Sequence, residues 1–252
     1  KNIIYYIYNI MSKKLKILKI VPPPNENTKP VHPALPQPPS CVLLIMPTKC
    51  GKSTVISNML LNKEGGFYGQ DYFDIVKIIS NTINNDQTSR FLKKAFDCED
   101  HYDDSMIYDL VKSQNEYGED KPSVCLVLDD CLGDKTTAVN VISSRARHSG
   151  IQLLMISTQA FRKVSPTIRA NANHIYIGKL QNSSELDKLC EEYGSMLGGD
   201  KNMRMLYEKC VKIKYDFMNI NLSENPAEVR ISFGDIIYPT TNEAEPEPEP
   251  DI

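Results

Sequence analysis

A glycine, a lysine and two hydroxyl side chains follow one another at positions 51–54, directly after an apolar run and before a helix-like stretch. Backbone N–H groups at the start of a helix can cradle phosphate oxygens, a lysine there can reach the β and γ phosphates of a nucleotide, and the next hydroxyl can ligate Mg²⁺. The run fits the end of the Walker A pattern, so we predict that Lys52 binds phosphate and that Ser53 binds the metal. The predicted nucleotide-binding residues are Thr48, Lys49, Cys50, Gly51, Lys52, Ser53 and Thr54.

The first glycine of this pattern is absent, because Met46 stands where G-x-x-x-x-G-K-[ST] expects it. Pro47 follows, and its fixed φ helps to turn the chain, but the side chain of Met46 has to find room. A chance Gly-Lys-Ser at a helix start is the ordinary alternative. The order of strand, loop and helix favours the phosphate loop.

Two carboxylates, Asp129 and Asp130, close the apolar run 124–128. In a fold with a phosphate loop, the first carboxylate can hold Mg²⁺ through water and the second can polarise the attacking water. We therefore assign Asp129 to the metal and Asp130 to catalysis, and we expect Asp129 one strand away from the phosphate loop. Turn chemistry also places acidic residues after strands. The position behind a phosphate loop, with another strand between them in the sequence, favours the functional interpretation.

Polar side chains also end the apolar run 151–157, where Gln159 or Thr158 could orient water or sense hydrolysis. An ordinary polar strand end is the alternative. Just before this run, a predicted helix ends in basic residues that include Arg145 and Arg147. Such residues usually complement the helix dipole. The sharper hypothesis is that Arg147 reaches the nucleotide of a neighbouring subunit and stabilises charge during phosphoryl transfer.

The elements that must position these residues are short apolar runs that alternate with helix-spaced stretches. Runs that are apolar on both faces are typical of central strands in a parallel sheet. Their alternation with helices predicts an α/β fold with a mainly parallel central sheet flanked by helices. The predicted strands are 41–46, 75–80, 124–128, 151–157 and 175–177, and the predicted helices are 53–61, 88–96, 106–117, 138–147 and 183–193.

The 252 residues allow one main α/β domain. Eight prolines between positions 21 and 40 predict an extended linker, so we place a Pro-rich extension and linker at 1–40 and the ATPase-type domain at 41–238. Residues 239–252 are rich in Pro, Glu and Thr and are predicted to form an acidic disordered tail. That tail holds five of the 32 acidic residues, so the 29 basic residues slightly exceed the acidic ones elsewhere. The net charge of the chain therefore neither requires nor excludes a nucleic-acid partner.

The composition excludes membrane and disordered classes, since 41% of the residues are hydrophobic and 24% are charged. Residues 1–10 are apolar but far shorter than the ~20 residues that span a bilayer, so no membrane partner is predicted. The seven cysteines form no CxxC pair, and several lie in apolar runs where cysteine acts as a small hydrophobe. We expect free thiols in a reducing compartment.

In order and spacing, these motifs resemble the poxvirus-type DNA-packaging ATPases of the FtsK/HerA superfamily, and virophage packaging ATPases in particular. The likeness covers roughly residues 42–220. It rests on the runs 49–54, 128–130, 145–151 and 156–159, with further similarity at 168–171 and 185–194.

The resemblance implies a RecA-like P-loop NTPase core in a homo-oligomeric ring that hydrolyses ATP, with Mg²⁺, to move double-stranded DNA into a viral capsid. It also implies capsid or portal-vertex proteins as partners, and a location in the cytoplasm of an infected cell, at the viral factory, or in the virion. The catalytic residues that it implies are Lys52, Asp130, Gln159 as sensor and Arg147 as arginine finger, with Ser53 and Asp129 at the metal. Two departures are Met46 for glycine and Asp130 where many relatives have Glu.

Two other functions stay open from the residues alone. A different P-loop NTPase, such as a small-molecule kinase, would hydrolyse ATP without a response to DNA, although no lid-like arginine cluster for a phosphorylated acceptor is evident. A nucleotide-binding structural protein without efficient hydrolysis is suggested by Met46 and by the acidic pair. For an enzyme, we expect Lys52→Ala to abolish hydrolysis and to leave the nucleotide-free fold largely intact.

Overall fold

A sheet of nine strands forms the centre of the protein in the residues that the computed structural model describes, which are 29, 31–84, 87–118, 120–133 and 136–239. The strands are β1 (Ser40–Ile45), β2 (Ile75–Ser80), β3 (Asp97–Glu99), β4 (Val124–Asp129), β5 (Ile151–Thr158), β6 (His174–Ile177), β7 (Met218–Asn221), β8 (Glu228–Ile231) and β9 (Ile236–Tyr238). The α-helices are α1 (Lys52–Leu61), α2 (Arg90–Ala95), α3 (Asp104–Glu116), α4 (Thr137–Arg145), α5 (Pro166–Asn171), α6 (Ser183–Tyr193) and α7 (Asp200–Cys210). Short 3₁₀ turns lie at Ala146–Ser149, Phe161–Lys163 and Gly194–Leu197.

The strand order is β3-β2-β4-β5-β1-β6-β7-β8-β9. The strands from β3 to β6 in this order are parallel, and β7, β8 and β9 join the edge beyond β6 in antiparallel pairs. The expectation that Asp129 lies one strand from the phosphate loop is wrong, because β5 pairs with both β1 and β4 and separates them. The three strands nevertheless end level, since Ile45 pairs with Thr158 and Asp129 pairs with Ser157.

The predicted α/β class is confirmed, with a mainly parallel sheet between two layers of helices. All six residues of β1 and all six of β4 are buried, as expected for strands covered on both faces. Apolar side chains of α1 and α2 pack on one face of the sheet, and those of α3 to α7 pack on the other. This burial fixes the strands, so their carboxyl ends form a rigid edge on which a site can be built.

Each of the five predicted strands and five predicted helices is present, with bounds that differ by at most a few residues. The helix predicted at 138–147 ends as an α-helix at Arg145 and continues as a 3₁₀ turn to Ser149, before Gly150 adopts a left-handed φ of 72°. The elements β3, α5 and α7 and the antiparallel strands β7 to β9 were not predicted from the sequence.

Part of the segment predicted as a linker packs on the domain. Ala34 and Leu35 are buried. The hydroxyl of Tyr68 donates to the carbonyl of Pro36, and the side-chain amide of Asn219 donates to the carbonyl of Ala34 at 3.4 Å. Residues 31–39 are therefore attached to the domain, while the predictions for 1–28 and for the acidic tail from position 240 onward fall outside the described residues.

All seven cysteines lie in the described residues, and none forms a disulfide. Among the helices that the structure describes, none combines the length and the hydropathy required to cross a bilayer.

Candidate nucleotide-binding site

The loop between β1 and α1 has the backbone conformation of a phosphate-binding loop. Lys49 and Gly51 have left-handed φ angles of 67° and 90°, and the N–H of Cys50 donates to the carbonyl of Pro47 at 3.2 Å. Alternating left-handed and right-handed residues of this kind turn backbone N–H groups toward one side of a loop. Since α1 begins at Lys52, the loop also presents the positive end of a helix dipole.

The side chain of Met46 lies in the core, on the side of the sheet that α1 covers, and it is fully buried there. A Cβ atom built at Gly178 would lie 3.2 Å from Cγ of Met46 and 3.2 Å from Cβ of Cys50. The absence of a side chain at Gly178 thus gives Met46 its room. The Sγ of Cys50 donates to the carbonyl of Lys179 at 3.4 Å, which ties the loop to the segment after β6. Met46 therefore replaces the first glycine of the pattern without filling the hollow of the loop.

The ammonium group of Lys52 contacts both carboxylates at the end of β4. Its Nζ lies 3.0 Å from Oδ1 of Asp129 and also forms an ion pair with Oδ2 of Asp130. The side chains of Lys52 and Asp129 are only 11% and 7% exposed. The hydroxyl of Ser157 donates to Oδ1 of Asp129, and that of Ser80 donates to Oδ2 at 2.7 Å. Asp129 is therefore held by β2 and β5, the two strands that flank its own.

Gln159 connects the acidic pair with the phosphate loop. Its Nε2 donates to Oδ2 of Asp130 at 3.1 Å, and its Oε1 accepts from the hydroxyl of Thr48 at 3.2 Å. The neighbouring hydroxyl of Thr158 is buried and donates to the carbonyl of Ala160 at 3.3 Å. Of the two sensor candidates, Gln159 is the one that faces the loop.

A cleft of about 800 Å³ opens above these groups. Apart from Cys50, every predicted residue of the loop 48–54 lines it, and so do Asp130 and Gln159. Five further residues line this cleft that the sequence motifs did not assign to the site: Pro47, Thr82, Thr88, Lys214 and Tyr215. Thr82 follows the end of β2, so the signal that identified Asp129 and Gln159, a polar side chain after an apolar run, would have found it. No sequence signal marked Lys214 or Tyr215.

The structure does not bring Arg147 to this cleft. Arg147 is exposed in the 3₁₀ turn that precedes β5, whereas Gln159 follows the other end of the same strand. The eight residues of β5 span roughly 25 Å at the usual rise per residue. Any role of Arg147 in phosphoryl transfer would thus be at the cleft of another subunit.

The residues around Lys52 fit a magnesium ion by their donor chemistry. The hydroxyl of Ser53 and the carboxylate of Asp129 are oxygen ligands, which Mg²⁺ prefers. Ser53 lines the cleft, and the adjacent Lys52 lies against Asp129, so the loop and the carboxylate meet at one place. Ser53 and Asp129 are the residues that would hold the ion.

No family model matches the chain. The uncharacterized protein 075L of Invertebrate iridescent virus 6 is 24% identical in an alignment of 168 residues that covers 63% of this chain and 61% of that protein. The chain therefore matches about three fifths of the length of this relative.

Among solved structures, the genome packaging NTPase B204 from Sulfolobus turreted icosahedral virus 2, in complex with AMP, has 17% identity and a TM-score of 0.55. The match covers 77% of this chain and 96% of that one. The conjugation coupling protein TcpA of pCW3, with ATPγS, has 16% identity and a TM-score of 0.51 over 78% of this chain and 61% of that chain. These similarities show that the chain shares the α/β fold of P-loop NTPases.

Proposed function

We propose that this chain hydrolyses ATP and uses the reaction to move double-stranded DNA into a viral capsid. The observation that carries the proposal is the contact of Lys52 with both Asp129 and Asp130, joined by Gln159 from the next strand. A lysine at the start of a helix, an acidic pair and an amide side chain around one cleft are the groups that phosphoryl transfer to water requires.

In the proposed reaction, water attacks the γ-phosphorus, the bond from phosphorus to the bridging oxygen breaks, and ADP leaves with that electron pair. Asp130 takes the proton of the attacking water, and Gln159 orients that water through its amide. On binding ATP, Lys52 exchanges its contacts with the two carboxylates for contacts with the β and γ phosphates. Ser53 and Asp129 would hold a magnesium ion, which would neutralise part of the phosphate charge.

The coupling to DNA is supported by the fold and not by a stripe of basic residues. The fold is that of a genome packaging NTPase and of a conjugation coupling protein. On this basis we propose a homo-oligomeric ring of subunits, with capsid or portal-vertex proteins as partners, acting at the site of virus assembly in the host cytoplasm or in the virion. The poxvirus and virophage type of packaging ATPase is the proposed subfamily.

The decisive experiment measures the ATPase activity of the full chain with Mg²⁺, in the presence and absence of duplex DNA. We expect hydrolysis that duplex DNA stimulates. Gln159→Ala should lower kcat by about 10²-fold while ATP still binds, because an amide that orients the reacting groups acts in the transition state. Gln70→Ala is the matched control, since Gln70 is an exposed glutamine outside the residues that line this cleft.

Each alternative function gives a different result in this assay. Hydrolysis that ignores DNA would identify another kind of P-loop NTPase. ATP binding without turnover would identify a nucleotide-binding structural protein. Turnover that is unchanged in both Lys52→Ala and Gln159→Ala would disprove the assignment of this cleft.

A further inference from the structure

A second segment of the chain reaches over the phosphate loop from the far side of the cleft. It comprises residues 211–217, between α7 and β7, and we call it the covering loop. Lys214 and Tyr215 in this loop line the cleft together with the phosphate-binding residues. In the described part of the chain, Tyr215 is the only aromatic residue that lines it.

Tyr215 lies next to the phosphate loop, beside Gly51. A Cβ atom built at Gly51 would lie 3.6 Å from Cδ1 and 3.8 Å from Cβ of Tyr215, which is ordinary van der Waals distance. Tyr215 is nevertheless 57% exposed, so much of its ring is free to meet a ligand in the cleft. The Nζ of Lys214 lies 4.7 Å from the centre of the ring, within the range of a cation–π interaction.

The backbone holds Tyr215 in an unfavourable conformation. Its φ of 75° lies in the left-handed region, which is uncommon for a bulky side chain and costs on the order of 1 kcal/mol or more. The covering loop is fixed on both sides of this residue. The N–H of Asp216 donates to the carbonyl of Ile213 at 3.2 Å, and Phe217 is buried against the rings of Tyr176 and Phe233. Strain that the surrounding structure maintains at an exposed aromatic residue suggests a function for that residue.

The two ends of the cleft differ in chemistry. Asp130 and Gln159 mark the end where the γ-phosphate reacts, because both contact the groups around Lys52. Tyr215 lies beside Gly51, and no hydrogen bond or ion pair of the described residues joins it to Lys52, Asp130 or Gln159. A triphosphate that lies along the loop with its γ end at Gln159 therefore has its sugar and base directed toward the covering loop.

We propose that Tyr215 stacks on the base of the bound nucleotide and that Lys214 positions its ring. The ligand of this subsite is the aromatic base of a nucleoside triphosphate, which a bare polyphosphate lacks. The inference rests on the proposed function, since it requires a nucleotide in this cleft. The inference adds that affinity for the base comes from the covering loop before β7, whereas the catalytic groups follow β4 and β5, on the other side of β1 in the sheet.

The test compares the binding of ATP and of inorganic tripolyphosphate to the full chain, with Mg²⁺, by calorimetry. The variant Tyr215→Gly removes the ring and suits the left-handed φ, and Tyr215→Phe keeps the ring. Tyr117→Gly is the matched control, because Tyr117 is 55% exposed and directly follows α3, outside the residues that line the cleft. We expect Tyr215→Gly to weaken ATP about tenfold, or about 1.4 kcal/mol, with tripolyphosphate unchanged. Tyr215→Phe and Tyr117→Gly should bind both ligands as the wild type does.

Two results would overturn the inference while the proposed function stands. One is unchanged ATP affinity in Tyr215→Gly. The other is an equal loss for ATP and for tripolyphosphate, which would mean that Tyr215 only shapes the phosphate loop. If the wild type binds neither ligand, the proposed function fails, and the inference about Tyr215 fails with it.

Discussion

At the residue scale, the contact of Lys52 with two carboxylates determines the electrostatics of the nucleotide-free site. Asp129 and Asp130 are adjacent in the sequence, and their side chains are 7% and 16% exposed. Lys52 is the cation that contacts both of them. Removing one partner from a buried ion pair leaves an uncompensated charge, which is usually more costly than replacing the whole pair.

This geometry changes what we expect from Lys52→Ala in the absence of nucleotide. The sequence alone suggested that the fold would stay largely intact, but the structure predicts a loss of roughly 3 kcal/mol in the free energy of unfolding. The double variant Lys52→Ala/Asp130→Ala should recover part of that loss, because it removes one of the two repelling charges. Urea denaturation without nucleotide measures both effects.

The control for this prediction is Lys201→Ala, which removes an exposed lysine from α7. It should change the free energy of unfolding by no more than about 0.5 kcal/mol. If Lys52→Ala is as stable as this control, the ion pairs contribute nothing to the stability of the nucleotide-free protein.

Most residues of the candidate site could be predicted because their signals are local in the sequence. The loop 48–54, the acidic pair and Gln159 each follow an apolar run, and parallel strands bring such strand ends to one edge. Tyr215 could not be predicted, because its place above Gly51 depends on how a distant loop packs. Contacts between residues that are far apart in one chain leave no periodic pattern in the sequence.

At the element scale, Gly150 sets the junction between the 3₁₀ turn 146–149 and β5. Its φ is 72°, and a Cβ atom there would lie 2.6 Å from Oε1 of Gln114 and 3.3 Å from Cβ of Lys121. The junction therefore needs glycine for two reasons, the backbone conformation and the lack of space. Gly118 has a similar φ of 65°, but a Cβ atom there would have no neighbour within 4 Å.

The two glycines allow these reasons to be separated. We expect Gly118→Ala to lower the free energy of unfolding by about 1 kcal/mol, the cost of a left-handed alanine. Gly150→Ala should lower it by about 1 kcal/mol more, because the amide of Gln114 must move and this side chain is buried, with little free space around it. Thermal or urea unfolding of both variants gives the comparison. Equal losses would show that Gln114 moves away at no cost.

The elements that were predicted are those with long, one-sided or fully apolar patterns. The strand order could not be predicted, because β1, β4 and β5 are all apolar on both faces and any of them fits a central place. The helix α7 carries buried residues at helical spacing, Met203, Leu206, Tyr207 and Cys210, so its sequence does contain the pattern that predicts a helix. In β7 and β8 the strands are four residues long, which is too short for a clear alternation.

At the scale of the whole molecule, Arg147 lies far from the nucleotide-binding cleft of its own subunit. This distance allows a test of whether Arg147 acts across a subunit interface in the proposed ring. Arg147→Ala should abolish hydrolysis and retain ATP binding, because the residue would act on the transition state in another subunit. Asp130→Ala should also be inactive. Mixing the two variants should restore activity, since some interfaces then join an intact Asp130 with an intact Arg147.

Steady-state hydrolysis of the mixture, compared with each variant alone, provides the measurement. Arg145→Ala mixed in the same way serves as the control, because Arg145 is an exposed arginine of the same segment. An inactive mixture of the Arg147 and Asp130 variants would rule out a role for Arg147 across the interface.

The place of β5 between β1 and β4 has one further consequence. Between Leu153 and Ser157 the strand is paired with a neighbour on each side, so it resists bending. The carboxyl end of β5 adjoins Gln159, and its amino end follows the turn that contains Arg147. In a ring of the proposed kind, β5 would thus connect the cleft of its own subunit with the arginine that acts in a neighbouring one. The timing of ATP hydrolysis in adjacent subunits would then depend on the rigidity of this strand.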